Sequence, residues 1–242
     1  MSANPPWLVL LPGLACDATV WQPVMPALAG MARCWVPPPE THTDIGAMAR
    51  AVLQQAPAER FALAGHSLGG RIALELWRQA PERVQAMALL DTGWQPRLAD
   101  AAGQAEAAQR QALVALARRE GMRTMADSWA PPMLHPAQLG GPVHAAVLAM
   151  VAAQDVERFA AQQQALLARP DAAPLLPTLG VPTLVLCGEE DRWSPPERHR
   201  EMAGRIPGAH LVLVPQCGHM SPMEQPQAVA AAMAQWLQRG CA

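Results

Sequence analysis

The chain has 242 residues, of which 51% are hydrophobic and 16% are charged, and its formal net charge at pH 7 is −2. This length and this apolar fraction fit one large α/β domain with a sizeable core. A net charge so close to zero gives no electrostatic footprint for nucleic acid or for an anionic membrane. We therefore expect neither of them as a partner.

The five cysteines are widely scattered and form no CxxC pair; they are Cys16, Cys34, Cys187, Cys217 and Cys241. An odd number at such spacing favours reduced, buried thiols over a disulfide framework. Residues 1–6 carry no basic leader region, and the apolar run at 7–11 is too short to span a membrane. These features predict a cytoplasmic protein, either a monomer or a homodimer.

Short apolar runs alternate with helical patterns along most of the chain. The runs cover residues 7–11, 61–65, 86–91, 183–187 and 211–214, with a weaker one at 34–36. The helical patterns cover 45–55, 68–79, 196–205 and 226–238. Because the runs are continuously apolar, they are typical of strands buried on both faces of a parallel sheet. The sequence therefore predicts an α/β fold with a doubly wound, mostly parallel sheet.

Residues 95–179 interrupt this rhythm, since they contain helical patterns and no convincing strand. Pro131-Pro132 and Gly140-Gly141-Pro142 divide the segment into three or four helices. Apolar residues recur at helical spacing, which argues against a disordered linker. We predict a helical cap inserted between two late strands, with the core formed by 1–94 and 180–242. A separate helical domain is the alternative.

A G-x-S-x-G pattern, Gly65 to Gly69, stands between a predicted strand and a predicted helix. A serine in such a sharp turn is strained, and its neighbours must be small so that strand and helix can approach each other. The N-terminus of the following helix favours negative charge that develops beside the serine. Ser67 is therefore predicted to be a nucleophile.

A serine nucleophile requires a base and an acid that orients the base. Of the seven histidines, His219 alone follows a predicted strand and its loop, which places it at the same sheet edge as Ser67. Asp191 follows the run at 183–187 and completes the chain order serine, acid, histidine. Asp91, which ends its own strand at that edge, stays open as the alternative acid.

Two further carboxylates, Glu189 and Glu190, are adjacent possibilities for the acid.

The oxyanion formed during attack needs two N–H donors. The residue after the nucleophile, Leu68, supplies one from its backbone, and Leu14 in the loop after the first strand is predicted to supply the other.

Together these segments resemble the α/β-hydrolase superfamily, in particular its small bacterial members with a helical cap. The similar segments are residues 11–14, 65–70, 188–191 and 218–226, so the resemblance extends over nearly the whole chain. It implies a triad of Ser67, Asp191 and His219 with oxyanion donors at Leu14 and Leu68. One departure is Pro12, since many members have a histidine before the glycine of this loop.

The resemblance implies a carboxylesterase-like serine hydrolase that cleaves a small, largely apolar ester, thioester or lactone through an acyl-enzyme. The same fold also hosts acyltransferases, C–C hydrolases, cofactor-free haloperoxidases and ligand-binding signalling proteins with a slow triad, which remain alternatives. The sequence contains no pattern typical of a metal cluster, a phosphate loop or a dinucleotide site, so no cofactor and no metal are expected.

Apolar side chains of the cap and of the sheet edge are the candidate pocket wall, with plain core packing as the alternative for each. They are Trp21, Trp94, Trp129, Met133, Leu134, Met150 and Trp193. Four arginines are interpreted as solvated charges on helix faces, with binding of a substrate carboxylate as the alternative; they are Arg71, Arg97, Arg123 and Arg158.

Overall fold

The computed structural model describes residues 5–240. The predictions for Cys241 and for residues 1–4 lie outside the described residues. Six strands form one sheet: β1 (Trp7–Leu11), β2 (Arg33–Trp35), β3 (Phe61–His66), β4 (Val84–Leu90), β5 (Thr183–Gly188) and β6 (His210–Val214). The strand order is β2-β1-β3-β4-β5-β6, and all neighbouring pairs are parallel. The predicted α/β fold with a doubly wound parallel sheet is confirmed.

The strand register aligns the carboxyl ends of the central strands. Leu11 pairs with Gly65, and Leu90 pairs with both His66 and Leu186. All six residues of β3 and of β5 are buried, so both faces of the sheet are covered there. Loops that leave these strands therefore meet at one edge of the sheet.

The helices of the core are α1 (Met25–Leu28), α2 (Ile45–Gln55), α3 (Leu68–Gln79), α7 (Pro196–Arg205), α8 (Ser221–Glu224) and α9 (Pro226–Gly240). Four of them, α2, α3, α7 and α9, agree closely with the sequence pattern, whereas the short α1 and α8 were not predicted. In the sheet, the predicted run at 86–91 is displaced, because β4 begins at Val84 and ends at Leu90. The strand ends there since Asp91 adopts a positive φ of 48°.

The segment 95–179 holds three α-helices and no strand: α4 (Ala101–Trp129), α5 (Pro142–Ala152) and α6 (Val156–Leu167). Asp100 begins α4 by accepting hydrogen bonds from the N–H groups of Ala102 and Gly103. Gly121 interrupts α4 with φ 85° and ψ 161°, so the helix consists of two parts joined at a kink. Both α5 and α6 pack against α4.

Within residues 5–240 no helix combines the length and the apolar character that crossing a membrane requires. The four cysteines in this range are all free thiols: Cys187 and Cys217 are buried, while Cys16 and Cys34 are half-buried. Burial raises the pKa of Cys16 to about 12.

Candidate active site

Ser67 lies in the turn between the end of β3 and the beginning of α3, with backbone angles that few residues adopt. Its φ of 54° and ψ of −114° are strained for a residue with a Cβ. Two hydrogen bonds fix it: its N–H donates to Leu90 O at 2.9 Å, and its carbonyl accepts from Thr92 Oγ1 at 2.6 Å. A Cβ on Gly65 would collide with the carbonyl of Gly69, so the close crossing of strand and helix requires glycine.

His219 follows β6 and its ring lies between a hydroxyl and a carboxylate. Nε2 is 2.9 Å from Ser67 Oγ, and Nδ1 is 2.8 Å from Asp191 Oδ2. Burial opposes the charged ring, but the Asp191 carboxylate outweighs burial and raises the pKa of His219. With Nδ1–H directed at the carboxylate, Nε2 is free to accept the proton of the serine hydroxyl.

Asp191, which follows β5, is held by the backbone around it. Its Oδ1 accepts from the N–H groups of Trp193 at 2.8 Å and Ser194 at 2.9 Å, while Oδ2 faces His219. Burial disfavours the ionised carboxylate, but His219 and the two N–H groups outweigh burial and lower the pKa of Asp191. The carboxylate is therefore ionised and oriented to stabilise a protonated His219.

Asp91, the alternative acid, lies at the same edge with different partners. Its Oδ1 accepts from the N–H of Gly188 at 3.1 Å, and its Oδ2 is 2.5 Å from Ser221 Oγ. Burial first, and then the charge of Asp191, raises the pKa of Asp91 well above its ordinary value. The structure thus places Asp191, and not Asp91, against the His219 ring.

The two glutamates next to Asp191 also lie elsewhere. The Glu190 carboxylate accepts from the N–H of Cys217 at 2.9 Å, and Glu189 is exposed. Neither side chain hydrogen-bonds to His219 within the described part of the chain.

His66 has a supporting position that the sequence did not indicate. Its Nε2 donates to the backbone carbonyl of His219 at 2.8 Å. Burial lowers the pKa of His66 to about 3, so the ring is neutral near pH 7. The two residues are 153 positions apart, and no local pattern relates them.

Leu14 and Leu68 both line the cavity that contains Ser67. Among residues 5–240, neither backbone N–H donates to another protein group. The loop that carries Leu14 packs on the nucleophile, because a Cβ on Gly13 would lie 3.3 Å from Ser67 Cβ. Unused donors beside a nucleophile are what an oxyanion hole requires.

The cavity above Ser67 has a volume of about 840 Å³. Three of the seven predicted wall residues line it: Trp129, Met133 and Trp193. The N–H of His219 donates to Met133 O at 2.6 Å, so the segment 95–179 also contacts the loop after β6.

The pocket prediction is wrong for the other four residues, which pack in the core instead: Trp21, Trp94, Leu134 and Met150. Trp21 is fully buried, with its ring edge against His66 at a centroid distance of 6.5 Å. Arg205 covers the ring of Trp94 at 4.5 Å. Some large apolar side chains at this edge of the sheet line the cavity and others pack in the hydrophobic core. Their spacing along the sequence does not distinguish the two groups.

Guanidinium groups dominate the charge of the cavity. Four arginines line it with a single carboxylate, that of Glu106; they are Arg71, Arg110, Arg169 and Arg198. Glu106 accepts from Arg110 at 2.8 Å and from both Nη atoms of Arg169 at 2.7 and 2.8 Å. One carboxylate thus pairs with two of the four cations.

The interpretation of Arg71 as a solvated charge on a helix face is wrong, because its side chain lines the cavity. Burial, followed by repulsion from Arg169 and Arg198, lowers the pKa of Arg71 to about 9. An anion entering the cavity would relieve that repulsion. The other three predicted arginines, Arg97, Arg123 and Arg158, do not line the cavity.

One cluster of metal-ligand types lies next to the triad, since Asp91, Cys187 and Asp191 bring one such atom each within 4.8 Å of one another. Both carboxylates already have the partners described above. Burial raises the pKa of the Cys187 thiol, and a protonated thiol is a poor ligand. The donor set therefore does not favour a metal.

Comparisons with known proteins agree with the fold. A family model described as alpha/beta hydrolase fold matches residues 6–226. A relative from Serratia proteamaculans, named 2-succinyl-6-hydroxy-2,4-cyclohexadiene-1-carboxylate synthase, is 32% identical and covers 97% of this chain and 94% of its own length.

Two solved structures are also similar. A thermophilic esterase from Thermogutta terrifontis, in a malate-bound form, has a TM-score of 0.86 and 29% identity, over 98% of this chain and 91% of the other. An enol-lactonase from Burkholderia xenovorans has a TM-score of 0.84 and 25% identity, over 98% and 92%. The three similar proteins are thus named as a synthase, an esterase and an enol-lactonase.

Proposed function

The chain belongs to the α/β-hydrolase family, and from this membership we propose that it is a serine hydrolase that cleaves a small, carboxylate-bearing ester through an acyl-enzyme. The observation that carries the reaction is the continuous chain of hydrogen bonds from Ser67 through His219 to Asp191. The observation that carries the substrate class is the excess of guanidinium groups in the same cavity.

In the first half of the reaction, His219 Nε2 takes the proton of Ser67 Oγ while Oγ attacks the ester carbonyl carbon. The N–H groups of Leu14 and Leu68 stabilise the oxyanion, and Asp191 stabilises the protonated ring. The carbonyl then re-forms as the C–O bond to the alcohol breaks, and His219 gives its proton to the leaving oxygen.

In the second half, His219 takes a proton from water as the water oxygen attacks the acyl carbon. The bond to Ser67 Oγ breaks, the proton returns to Oγ, and the carboxylic acid leaves. Each half needs the neutral ring as a base and the protonated ring as an acid.

The sequence predicted a largely apolar substrate. Because four arginines line the cavity, we now expect a substrate that has an apolar body and an anionic end. Trp129 and Trp193 offer an apolar wall of two rings that meet edge to face, with centroids 5.2 Å apart and planes at 69°. The guanidinium of Arg198, on α7, lines the same cavity and hydrogen-bonds to no protein group within residues 5–240. A free guanidinium in a cavity is suited to a carboxylate. The malate-bound form of the similar esterase supports this proposal.

A second candidate is a synthase-type reaction, favoured by the relative from Serratia proteamaculans. The compound in the name of this relative carries a ring carboxylate and a succinyl group, and both would also fit a cationic cavity. In that case the pair of Ser67 and His219 would remove a proton from substrate carbon, and no acyl-enzyme would form.

The test is a panel of p-nitrophenyl esters in which the acyl chain ends in either a carboxylate or a methyl group. We expect a burst of p-nitrophenol and a covalent acyl adduct on Ser67 by mass spectrometry, with the hemisuccinate preferred over the butyrate. Ser67→Ala should abolish both signals.

A chain that binds these esters without turnover that depends on Ser67 would contradict the hydrolase proposal. Turnover of an enolisable carboxylate without any adduct would favour the synthase-type reaction.

A further inference from the structure

The loop after β1, residues 12–17, carries Leu14 and is called the oxyanion loop here. Two side chains of the cap hold it. Gln162 Oε1, on α6, accepts from the N–H of Ala15 at 3.0 Å. Gln154 Nε2, just before α6, donates to Asp17 Oδ2 at 2.9 Å. Both hydrogen bonds join the cap to the core, across 147 and 137 positions of the chain.

The oxyanion loop needs such support because its turn is strained. The N–H of Cys16 donates to Gly13 O at 3.1 Å, which closes a tight turn with Leu14 and Ala15 at its centre. Ala15 has φ 54°, in the left-handed region that turns of this kind normally fill with glycine. An alanine stays there only where its surroundings hold it. The acceptor that holds it is Gln162.

We infer that Gln162 is a positioning residue for the oxyanion hole. Its side-chain carbonyl fixes the peptide between Leu14 and Ala15, and so keeps the adjacent N–H of Leu14 available to the reacting carbonyl oxygen.

Gln162 is not among the residues that line the cavity with Ser67; it lines a second cavity of about 480 Å³ that shares Cys16 and Leu68 with the first. Its hydrogen bond to Ala15 is the contact through which it would act on the reacting groups. The inference rests on the proposed function, because only a reaction with an oxyanion needs this donor.

A consequence is that α6 and the turn at Ala15 are coupled through the hydrogen bond of Gln162, in addition to the bond between Gln154 and Asp17. When α6 moves away from the core, Ala15 loses its acceptor and the strained turn is free to relax. The Leu14 donor is then displaced even though Ser67, His219 and Asp191 are unchanged.

The test compares Gln162→Leu with Gln162→Glu. The leucine removes the acceptor, and we expect kcat to fall about tenfold to a hundredfold with KM nearly unchanged, because a displaced donor weakens transition-state binding alone. Glutamate keeps an acceptor oxygen at the same place, so we expect it to retain most of kcat. Gln164→Leu, at an exposed position of the same helix, is the matched control and should behave as the wild type.

A second readout separates positioning from folding. A trifluoromethyl ketone analogue of the substrate forms an oxyanion on Ser67, and its Ki should rise in parallel with the loss of kcat, whereas the KM should not. Thermal unfolding identifies a variant that does not fold, and Gln162→Met, of similar length and without a strong acceptor, then replaces the leucine.

Unchanged kcat in a folded Gln162→Leu or Gln162→Met protein overturns the inference, and so does an equal loss in Gln162→Glu. Both outcomes leave the proposed function intact. A wild-type chain without Ser67-dependent ester turnover overturns the proposed function and this inference with it.

Discussion

At the scale of single residues, the two buried aspartates of the site are chemically opposite. Asp191 is ionised beside His219, whereas the pKa of Asp91 is raised by burial and by the charge of Asp191. Two carboxylates so close to each other do not both ionise easily. Asp191 orients the base, and the environment of Asp91 disfavours its charged form.

This difference makes the two asparagine variants a sharp comparison. Asp191→Asn should lower kcat by about 10³- to 10⁴-fold, because the ring loses the partner that sets its tautomer. Asp91→Asn should keep most activity, since the amide oxygen can still accept from the N–H of Gly188, and the Ser221 hydroxyl, which donates to Asp91, can rotate to accept from the amide N–H. Steady-state ester kinetics on both variants measures this, and a reversed order of the two losses would make Asp91 the triad acid.

The raised pKa of His219 sets the pH dependence. Only the neutral ring accepts the serine proton, so kcat/KM should fall as the pH drops through the pKa of His219. That midpoint should lie above the value of about 6.5 of an ordinary imidazole. Asp191→Asn removes the main charge that raises the pKa, and its residual activity should show a midpoint at lower pH. A pH–rate profile measures both midpoints, and identical ones would argue against this electrostatic coupling.

The sequence revealed those site residues whose neighbours along the chain form a recognisable pattern. Ser67 has a strand before it and a helix after it, while Asp191 and His219 each follow an apolar run, so each carries its own local mark. The cavity arginines lie on α3, on α4, after α6 and on α7, each within ordinary polar helical sequence. Only the packing of the cap on the core brings them together, and no spacing along the chain predicts that packing.

At the scale of elements, the crossing of β3 and α3 depends on glycine. Gly65→Ala would push a methyl group into the Gly69 carbonyl, and we expect it to lower the free energy of unfolding by about 1–3 kcal/mol and to reduce activity. Gly204→Ala is the control, because a Cβ there meets open space in a helix and should raise the stability by up to about 1 kcal/mol. Urea denaturation of the two variants measures the contrast. Equal stabilities would show that the turn between β3 and α3 accommodates a side chain.

Element boundaries followed the apolar pattern closely, and the departures have local causes. The positive φ of Asp91 ends β4 one residue before the apolar run suggests. In α4, the alanine-rich sequence favours one continuous helix, and the kink at Gly121 follows from a backbone conformation that glycine permits without determining.

At the scale of the whole molecule, the cationic cavity predicts that small dicarboxylates stabilise the fold. An anion that binds only the folded chain adds about 2.7 kcal/mol to the free energy of unfolding at a concentration of 100 times its Kd. Malate or succinate should therefore raise the Tm, and dimethyl succinate, which carries no charge, should not. Arg198→Gln should reduce the shift, because it removes the guanidinium that has no protein partner within the described residues.

Differential scanning fluorimetry at constant ionic strength measures this shift and separates specific binding from screening. An equal shift with sodium chloride or with dimethyl succinate would contradict a carboxylate site.

The insertion of the cap between β4 and β5 has a consequence for the order in which the protein is made. The connection from β3 to β4 covers residues 67–83, whereas that from β4 to β5 covers 91–182, and closing the longer loop costs about 1.5 kcal/mol more in chain entropy. We therefore expect the four strands of the first half to pair early during synthesis, with Ser67 already in its turn. The proposed acid and base, Asp191 and His219, both follow this long connection, so the nascent chain lacks at least one partner of the proposed nucleophile until residue 219 has been synthesised.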